Sequence, residues 1–170
     1  APGRARDAAP GPARSAALLT VSTSKAAGEG VDEGGPALAR LAERLGLDVV
    51  ARALVADDRG EIEAVLREFV AEGRALVLTT GGTGVGPSDV TPEATSAVIE
   101  RPIPGLAEAV RAASRPHTPH WALSRGVAGV CGATLIVNLP GSPRAIEQVE
   151  PALLAALPHA LALIAGERPH

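Results

Sequence analysis

A glycine-rich loop follows an apolar segment in the middle of the chain, and a single carboxylate, Asp89, lies near its end. Glycine tolerates positive φ angles and leaves backbone N–H groups uncovered, so Gly81, Gly82, Gly84 and Gly86 could form a cradle for phosphate oxygens. The segment is neither a Walker A loop nor a dinucleotide-binding fingerprint, since it lacks the Lys-Ser/Thr pair and the GxGxxG spacing. A loop of this composition can also serve only to turn the chain.

Asp57 and Asp89 carry the hard oxygen donors that Mg²⁺ prefers beside a polyphosphate. Both lie in loops that follow apolar runs, at residues 56–60 and 81–90, and a third such loop covers residues 140–144. In parallel sheets such loops open at one edge, where ligands bind. Each carboxylate also has a structural explanation, because Asp57 could cap the next helix and Asp89 could be a turn residue. Spacing alone favours these structural roles.

The elements that must position these loops alternate along the chain. Short apolar runs predict buried strands, and segments with helical spacing follow them. The predicted strands are residues 16–22, 47–55, 75–80, and the segments GVAGVCG and ATLIVNLPGS. The predicted helices begin at Pro36 and at Asp57, at Thr91 with this threonine as the cap, at Leu106, and at Pro143 with a break or kink at Pro158. The pattern predicts an α/β fold, a three-layer αβα sandwich with a mostly parallel sheet.

The composition excludes several classes of protein. The net charge of −3 and the 1% aromatic content argue against a nucleic-acid partner. Cys131 is the only cysteine, so no internal disulfide forms and a reducing compartment is expected. The longest apolar stretch is interrupted by Pro158 and is too short to cross a bilayer, so we expect no membrane partner and a cytoplasmic location. Residues 1–15, without an apolar core that would mark a signal peptide, are predicted to form a disordered tail before a single domain at 16–170.

Three strings carry a resemblance: TTGGTGVGPSDVTPEAT, ERPIPGLAEAVR and LSRGVAGVCGATLIVNLPGSP. They resemble the molybdenum-cofactor biosynthesis family of MogA, MoaB and the gephyrin G domains, in order over about residues 18–166. The resemblance implies a molybdopterin adenylyltransferase, which transfers AMP from MgATP to the molybdopterin phosphate and releases pyrophosphate. It also implies Mg²⁺ as cofactor, a homotrimer or hexamer, and a molybdenum insertase as a downstream partner. Two alternatives remain open: a non-catalytic, MoaB-type molybdopterin-binding protein and a CinA-like nucleotide pyrophosphate hydrolase.

The resemblance also assigns site residues. The catalytic and magnesium-binding acids fall on Asp57 and Asp89. The nucleotide and phosphate loop falls on Gly81, Gly82, Thr83 and Gly84. The pterin-binding positions fall on Ser22, Ser124, Asn138, Pro140, Gly141 and Ser142.

The chain departs from the family pattern after the first predicted strand. Many members read TVSD, whereas this chain reads TVSTSK, so Thr23 takes the position of an aspartate. The change alters the contacts of the first loop, where Lys25 could offer a phosphate a positive charge. His117 and His120 are interpreted as surface or structural residues, because a lone HxxH outside a helix is poor zinc spacing. Cys131 lies in an apolar, glycine-flanked segment and is interpreted as a small core residue and not a nucleophile.

Overall fold

The computed structural model describes residues 12–169, and within them six strands form one sheet in the order β2-β1-β3-β6-β5-β4. The strands are β1 (Ser15–Val21), β2 (Asp48–Val55), β3 (Leu76–Thr80), β4 (Arg101–Pro102), β5 (Ala128–Cys131) and β6 (Thr134–Leu139). The first three strands and β6 are parallel, whereas β5 is antiparallel to both of its neighbours. The mostly parallel sheet confirms the predicted fold class.

Helices cover both faces of this sheet. They are α1 (Thr23–Ala26), α2 (Gly34–Arg44), α3 (Arg59–Ala71), α4 (Thr91–Val98), α5 (Pro104–Ser114) and α6 (Pro143–Ile164). Leucine and alanine side chains of α2, α5 and α6 pack on one face, and α3 and α4 pack on the other. Because the central strands are apolar on both faces, neither face can be left to water, and the three predicted layers follow.

The helical periodicity is confirmed at α3. The side chains of Ile62, Leu66 and Phe69 lie at helical spacing and are buried against the sheet. Burial of each such side chain removes apolar surface from water and stabilises the fold by about 1.5–3 kcal/mol. This packing fixes the start of α3, and therefore the loop that carries Asp57.

Three local predictions are corrected. Helix α6 continues through Pro158, so of the predicted break or kink at this proline the break is absent. Thr91 is the first helical residue of α4 and not its cap; its hydroxyl donates instead to the Gly81 carbonyl oxygen at 2.9 Å. Asp57 does not cap α3, because Asp58 takes that position and accepts from the Glu61 N–H at 2.8 Å.

The predicted N-terminal tail lies mostly outside the described residues. Pro12–Arg14 form one turn of 3₁₀ helix, and Ser15 is already the first residue of β1. Regular structure therefore begins before the predicted boundary at residue 16. Over residues 12–169, no helix combines the length and apolar character needed to cross a membrane.

Candidate functional site

The carboxyl ends of β1, β2, β3 and β6 open on one cleft of about 390 Å³. The three loops singled out by sequence meet here, as expected for parallel strands. Seven of the predicted site residues line this cleft: Ser22, Asp57, Gly81, Gly82, Asp89, Gly141 and Ser142. Strand ends that are far apart in sequence thus bring the glycine loop and both carboxylates together.

The other predicted residues lie around this cleft and do not line it. Thr83 and Gly84 belong to the same glycine loop, and Pro140 accepts a 2.6 Å hydrogen bond from the Thr80 hydroxyl through its carbonyl oxygen. Ser124 lines a separate cleft of about 350 Å³ that includes Val127. Residues assigned to one pterin pocket by resemblance are therefore divided between two clefts.

Asn138 is buried, with 3% of its surface exposed. Its side-chain amide donates to the hydroxyls of Thr79 and Thr95 at 2.9 and 3.0 Å, and its carbonyl oxygen accepts from the Val127 N–H at 3.1 Å. These bonds occupy most of its capacity inside the fold. The predicted direct contact between Asn138 and a pterin therefore has no support in the geometry, and the residue instead joins β6 to its neighbours.

In the glycine loop, the backbone carbonyl oxygens and the backbone N–H groups differ in whether they form hydrogen bonds. The carbonyl oxygens of residues 81–84 all accept: Gly81 and Gly82 from the hydroxyl and N–H of Thr91, and Thr83 and Gly84 from Arg125. Within the described part of the chain, the N–H groups of residues 82–85 have no hydrogen-bond acceptor. Four consecutive free donors, the first of them on Gly82 at the border of the cleft, are an arrangement that anion-binding loops use.

Close backbone approach explains why glycine occupies the start of this loop. Gly81 has φ of 94°, and a Cβ atom there would lie 2.2 Å from the Val21 carbonyl oxygen. Gly82 has φ of 67°, and a Cβ atom there would lie 2.3 Å from Thr91 Oγ1. Both the positive φ and the space are available only to glycine, so these residues fix the loop against β1 and α4.

Asp57 is held by Thr23 across the ends of β1 and β2. Its Oδ2 accepts from the Thr23 N–H at 3.1 Å and from the Thr23 hydroxyl at 2.9 Å. Its Oδ1 has no hydrogen-bond partner in residues 12–169 and lies beside Gly82. One carboxylate oxygen is thus fixed, and the other faces the glycine loop.

Asp89 does act as a local turn residue, as one alternative predicted. Its Oδ2 accepts from the Gly86 N–H at 2.9 Å, and its own N–H donates to the Gly86 carbonyl oxygen at 3.1 Å. The carboxylate still borders the cleft, and its Oδ1 makes no hydrogen bond with the described residues. The turn and a ligand-binding role are therefore compatible.

The cleft is acidic. Asp32, Glu33, Asp57 and Asp89 border it, whereas Lys25 is the one cation among its lining residues. No group of three or more His, Cys, Asp or Glu residues within residues 12–169 is arranged to hold a metal ion. Mg²⁺ commonly binds through one or two carboxylates, substrate phosphates and water, so the donor set fits a metal that arrives with a phosphate ligand.

Arg125 is a site residue that the sequence interpretation missed. It donates to the Gly84 carbonyl oxygen of the glycine loop and forms an ion pair with Glu93 of α4. The hydrogen bond from Arg125 to the Glu93 carboxyl holds the pKa of that carboxyl below its ordinary value. The sequence does contain a signal for Arg125, since it follows Ser124 directly in the LSRG string. The interpretation assigned only the serine of that string.

Comparisons with known proteins point to one family. Residues 17–159 match the family model described as "Probable molybdopterin binding domain". A Haemophilus influenzae protein named molybdopterin adenylyltransferase is 38% identical and is aligned over 88% of this chain and 83% of its own length. A Synechococcus elongatus molybdenum cofactor biosynthesis bifunctional protein is 37% identical over 89% of this chain, which spans 47% of that longer protein.

A solved structure extends the comparison to three dimensions. The molybdopterin biosynthesis Mog protein from Mycobacterium ulcerans has a TM-score of 0.84 and 44% identity, covering 89% of this chain and 99% of its own. The family model, the relatives and the fold all indicate the same family. The chain therefore belongs to the family of probable molybdopterin-binding domains, the MogA/MoaB family of molybdenum cofactor biosynthesis.

Proposed function

We propose that this protein is a molybdopterin adenylyltransferase, which transfers AMP from MgATP to the molybdopterin phosphate and releases pyrophosphate. The observation that carries the proposal is the row of free N–H groups at residues 82–85, placed beside two carboxylates. N–H donors fix phosphoryl oxygens, and carboxylates recruit the cation that neutralises them. The name of the H. influenzae relative supports the same activity.

In the proposed reaction an oxygen of the molybdopterin phosphate attacks the α-phosphorus of ATP. A new P–O bond forms there, the bond from the α-phosphorus to the bridging oxygen breaks, and pyrophosphate leaves with those electrons. Such a displacement needs positioning and charge stabilisation more than covalent help from the protein. Gly82, Thr83 and Gly84 would donate their N–H groups to the phosphoryl oxygens on which charge develops.

The proposed roles of Asp57 and Asp89 follow from the acidity of the cleft. A triphosphate would be repelled by the surrounding carboxylates unless a cation accompanied it. Mg²⁺, when bound through these two aspartates, would offset the phosphate charge and help to align the reacting groups. Lys25, which has no ion-pair partner among residues 12–169, would add one positive charge at the rim.

The pterin would lie beyond the phosphate loop. Ser22, Gly141 and Ser142 border the main cleft, and the backbones of Gly141 and Gly81 are neighbours. Ser142 also caps α6, since its hydroxyl accepts from the Ala145 N–H at 3.1 Å. Ser124 would contribute from the second cleft, with Pro140 between the two regions.

One assay separates this proposal from its alternatives. Purified protein is incubated with ATP, Mg²⁺ and molybdopterin, and pyrophosphate release and adenylated molybdopterin are measured together. The proposal expects both products and no pyrophosphate without the pterin. Tight molybdopterin binding without turnover would identify a binding protein, and cleavage of a nucleotide pyrophosphate without pterin would identify a CinA-like hydrolase.

Assembly and location are part of the proposal. We infer a homotrimer or hexamer, supported by apolar side chains left exposed on β2 and α6, namely Val50, Leu54 and Leu163. Light scattering that returned a monomer mass at micromolar concentration would remove this inference.

A cytoplasmic location and a molybdenum insertase acting next are also part of the proposal. The insertase is supported by the longer relative that is named bifunctional.

A further inference from the structure

Arg125 contacts the glycine loop through its backbone and through its whole guanidinium group. Its N–H donates to the Thr83 carbonyl oxygen at 2.8 Å, and its Nε donates to the Gly84 carbonyl oxygen at 2.7 Å. Its Nη2 donates to the Asp89 carbonyl oxygen at 2.7 Å, and its Nη1 pairs with Glu93 Oε1. One side chain therefore joins both halves of the loop to the first turn of α4.

These contacts decide which way the peptide groups of the loop face. In a trans peptide the C=O and the following N–H point in opposite directions. The backbone N–H of Arg125 holds the Thr83 carbonyl and so turns the Gly84 N–H away, whereas the guanidinium holds the Gly84 carbonyl and so turns the Val85 N–H away. Both belong to the row of free donors at residues 82–85.

Arg125 is badly placed to bind a phosphate itself. It borders the second cleft beside Ser124 and not the main cleft in which the phosphates are placed, and all three of its guanidinium nitrogens already have partners. Glu93 also compensates its charge. The guanidinium thus acts on the loop from the side opposite the free N–H groups.

We propose that Arg125 is a positioning residue that holds the N–H groups of the glycine loop toward the ligand and thereby sets the loop's affinity for phosphate oxygens. The proposal rests on the phosphate-binding role given to this loop under the proposed function. It adds that the planar fork of an arginine is required, because two carbonyls and a carboxylate must be bound in fixed directions at once.

The test compares Arg125→Ala with Arg67→Ala. Arg67 is a matched control, since it also pairs with a glutamate, Glu63, and donates to a backbone carbonyl, that of Ala97, but lies outside the cleft. The first measurement is the affinity for inorganic triphosphate with Mg²⁺, by calorimetry. We expect Arg125→Ala to weaken it roughly 10- to 100-fold, the loss that follows when an oriented hydrogen bond to a charged ligand is lost, and Arg67→Ala to leave it within about twofold.

A second measurement needs no ligand. The N–H groups of Asp89 and Thr91 close the loop onto Gly86 and Gly82, so their hydrogen exchange reports whether the loop is held. Arg125→Ala should accelerate exchange at both, and Arg67→Ala should not. Equal behaviour of the two variants in affinity and in exchange would overturn the proposal.

Arg125→Lys separates geometry from charge. Lysine keeps the positive charge but cannot bind two carbonyls and a carboxylate in the same fixed directions, so only partial recovery of triphosphate affinity is expected. Full recovery by lysine would show that charge alone matters and would refute the positioning role.

The failure of this inference is distinguishable from failure of the proposed function. Wild-type protein that binds triphosphate but never adenylylates molybdopterin would refute the adenylyltransferase alone, and the variant comparison would still judge Arg125. Wild-type protein that adenylylates molybdopterin normally, with Arg125→Ala indistinguishable from Arg67→Ala, would refute this inference alone. Absence of any triphosphate binding by the wild type would overturn both.

Discussion

Thr23 and Asp57 exchange hydrogen bonds in both directions. The Thr23 hydroxyl donates to Asp57 Oδ2 at 2.9 Å and accepts from the Asp57 N–H at 3.0 Å, and the Thr23 N–H donates to the same Oδ2 at 3.1 Å. The resemblance puts this threonine at a position where many members read aspartate, and a second carboxylate could not donate to Asp57 when ionised. Here the replacement gives Asp57 a neutral partner that fixes its orientation.

Thr23→Val should therefore reduce the proposed adenylylation by about tenfold, because the isosteric side chain can neither donate to Asp57 nor accept from it. The stability should change by no more than about 1 kcal/mol, since Thr23 is exposed and Asp57 is only partly buried. Thr23→Ser is the control and should retain most of the rate. Initial rates of pyrophosphate release, with thermal unfolding in parallel, measure both effects. A valine variant with the wild-type rate would contradict the orienting role.

The two aspartates that border the cleft should be needed for turnover and not for pterin binding. Asp57→Asn and Asp89→Asn keep size and shape but remove the charge that a hard cation requires, so we expect each to slow adenylylation about 100-fold or more. Molybdopterin affinity should remain within a few-fold. Measuring pyrophosphate release and pterin affinity on the same variants separates the two effects.

Asp58→Asn is the matched control for these variants. Asp58 is the neighbour of Asp57 and caps α3, and asparagine caps a helix about as well as aspartate. Its activity should stay near the wild-type value. The double variant of Asp57 and Asp89 should be little slower than the slower single variant, because both residues would serve one metal. Near-normal turnover in Asp89→Asn would remove the catalytic assignment.

The position of the candidate cleft could be predicted from sequence, but the hydrogen-bond partners of its residues could not. Apolar runs followed by loops placed Asp57 and the glycine loop at one sheet edge, because the direction of parallel strands leaves no other arrangement. Which of two adjacent aspartates caps α3 depends on backbone geometry, and the pattern could not choose Asp58 over Asp57. Arg125 was not identified although it stands beside Ser124 in the LSRG string, because its hydrogen bond to Gly84 spans 41 residues and forms only on folding.

Gly82→Ala should damage the loop more than an ordinary substitution of glycine. The new Cβ would lie 2.3 Å from Thr91 Oγ1 in a backbone conformation with φ of 67°, so either α4 or the loop must shift. We expect a loss of stability of about 1–3 kcal/mol and a larger loss of affinity for Mg²⁺-triphosphate. Gly105→Ala in α5 is the control, since nothing lies within 4 Å of its added Cβ and alanine suits a helix. Chemical denaturation and calorimetry on both variants measure the difference, and equal affinities would argue against a fixed loop.

Asn138 allows a test between two roles. It could contact the ligand directly, or it could act as an internal brace, a side chain whose hydrogen bonds hold β6 to its neighbours. Asn138→Leu would leave the Val127 N–H without its side-chain acceptor and would remove the donor to Thr79 and Thr95, all beside a buried strand. Unsatisfied buried groups predict a loss of about 2–4 kcal/mol in the free energy of unfolding. Thr79→Val removes only one of these contacts and should cost about 1 kcal/mol.

Ligand binding decides between the two roles of Asn138. If it braces β6, molybdopterin affinity measured at a temperature where Asn138→Leu remains folded should stay within a few-fold of the wild type, because no atom of this side chain reaches the main cleft. If Asn138 instead bonds the pterin directly, affinity should fall by about 10- to 100-fold while the unfolding free energy changes less. Thermal unfolding and equilibrium binding on the same preparation distinguish these outcomes. The three internal hydrogen bonds and the 3% exposure of this residue make the brace the expected result.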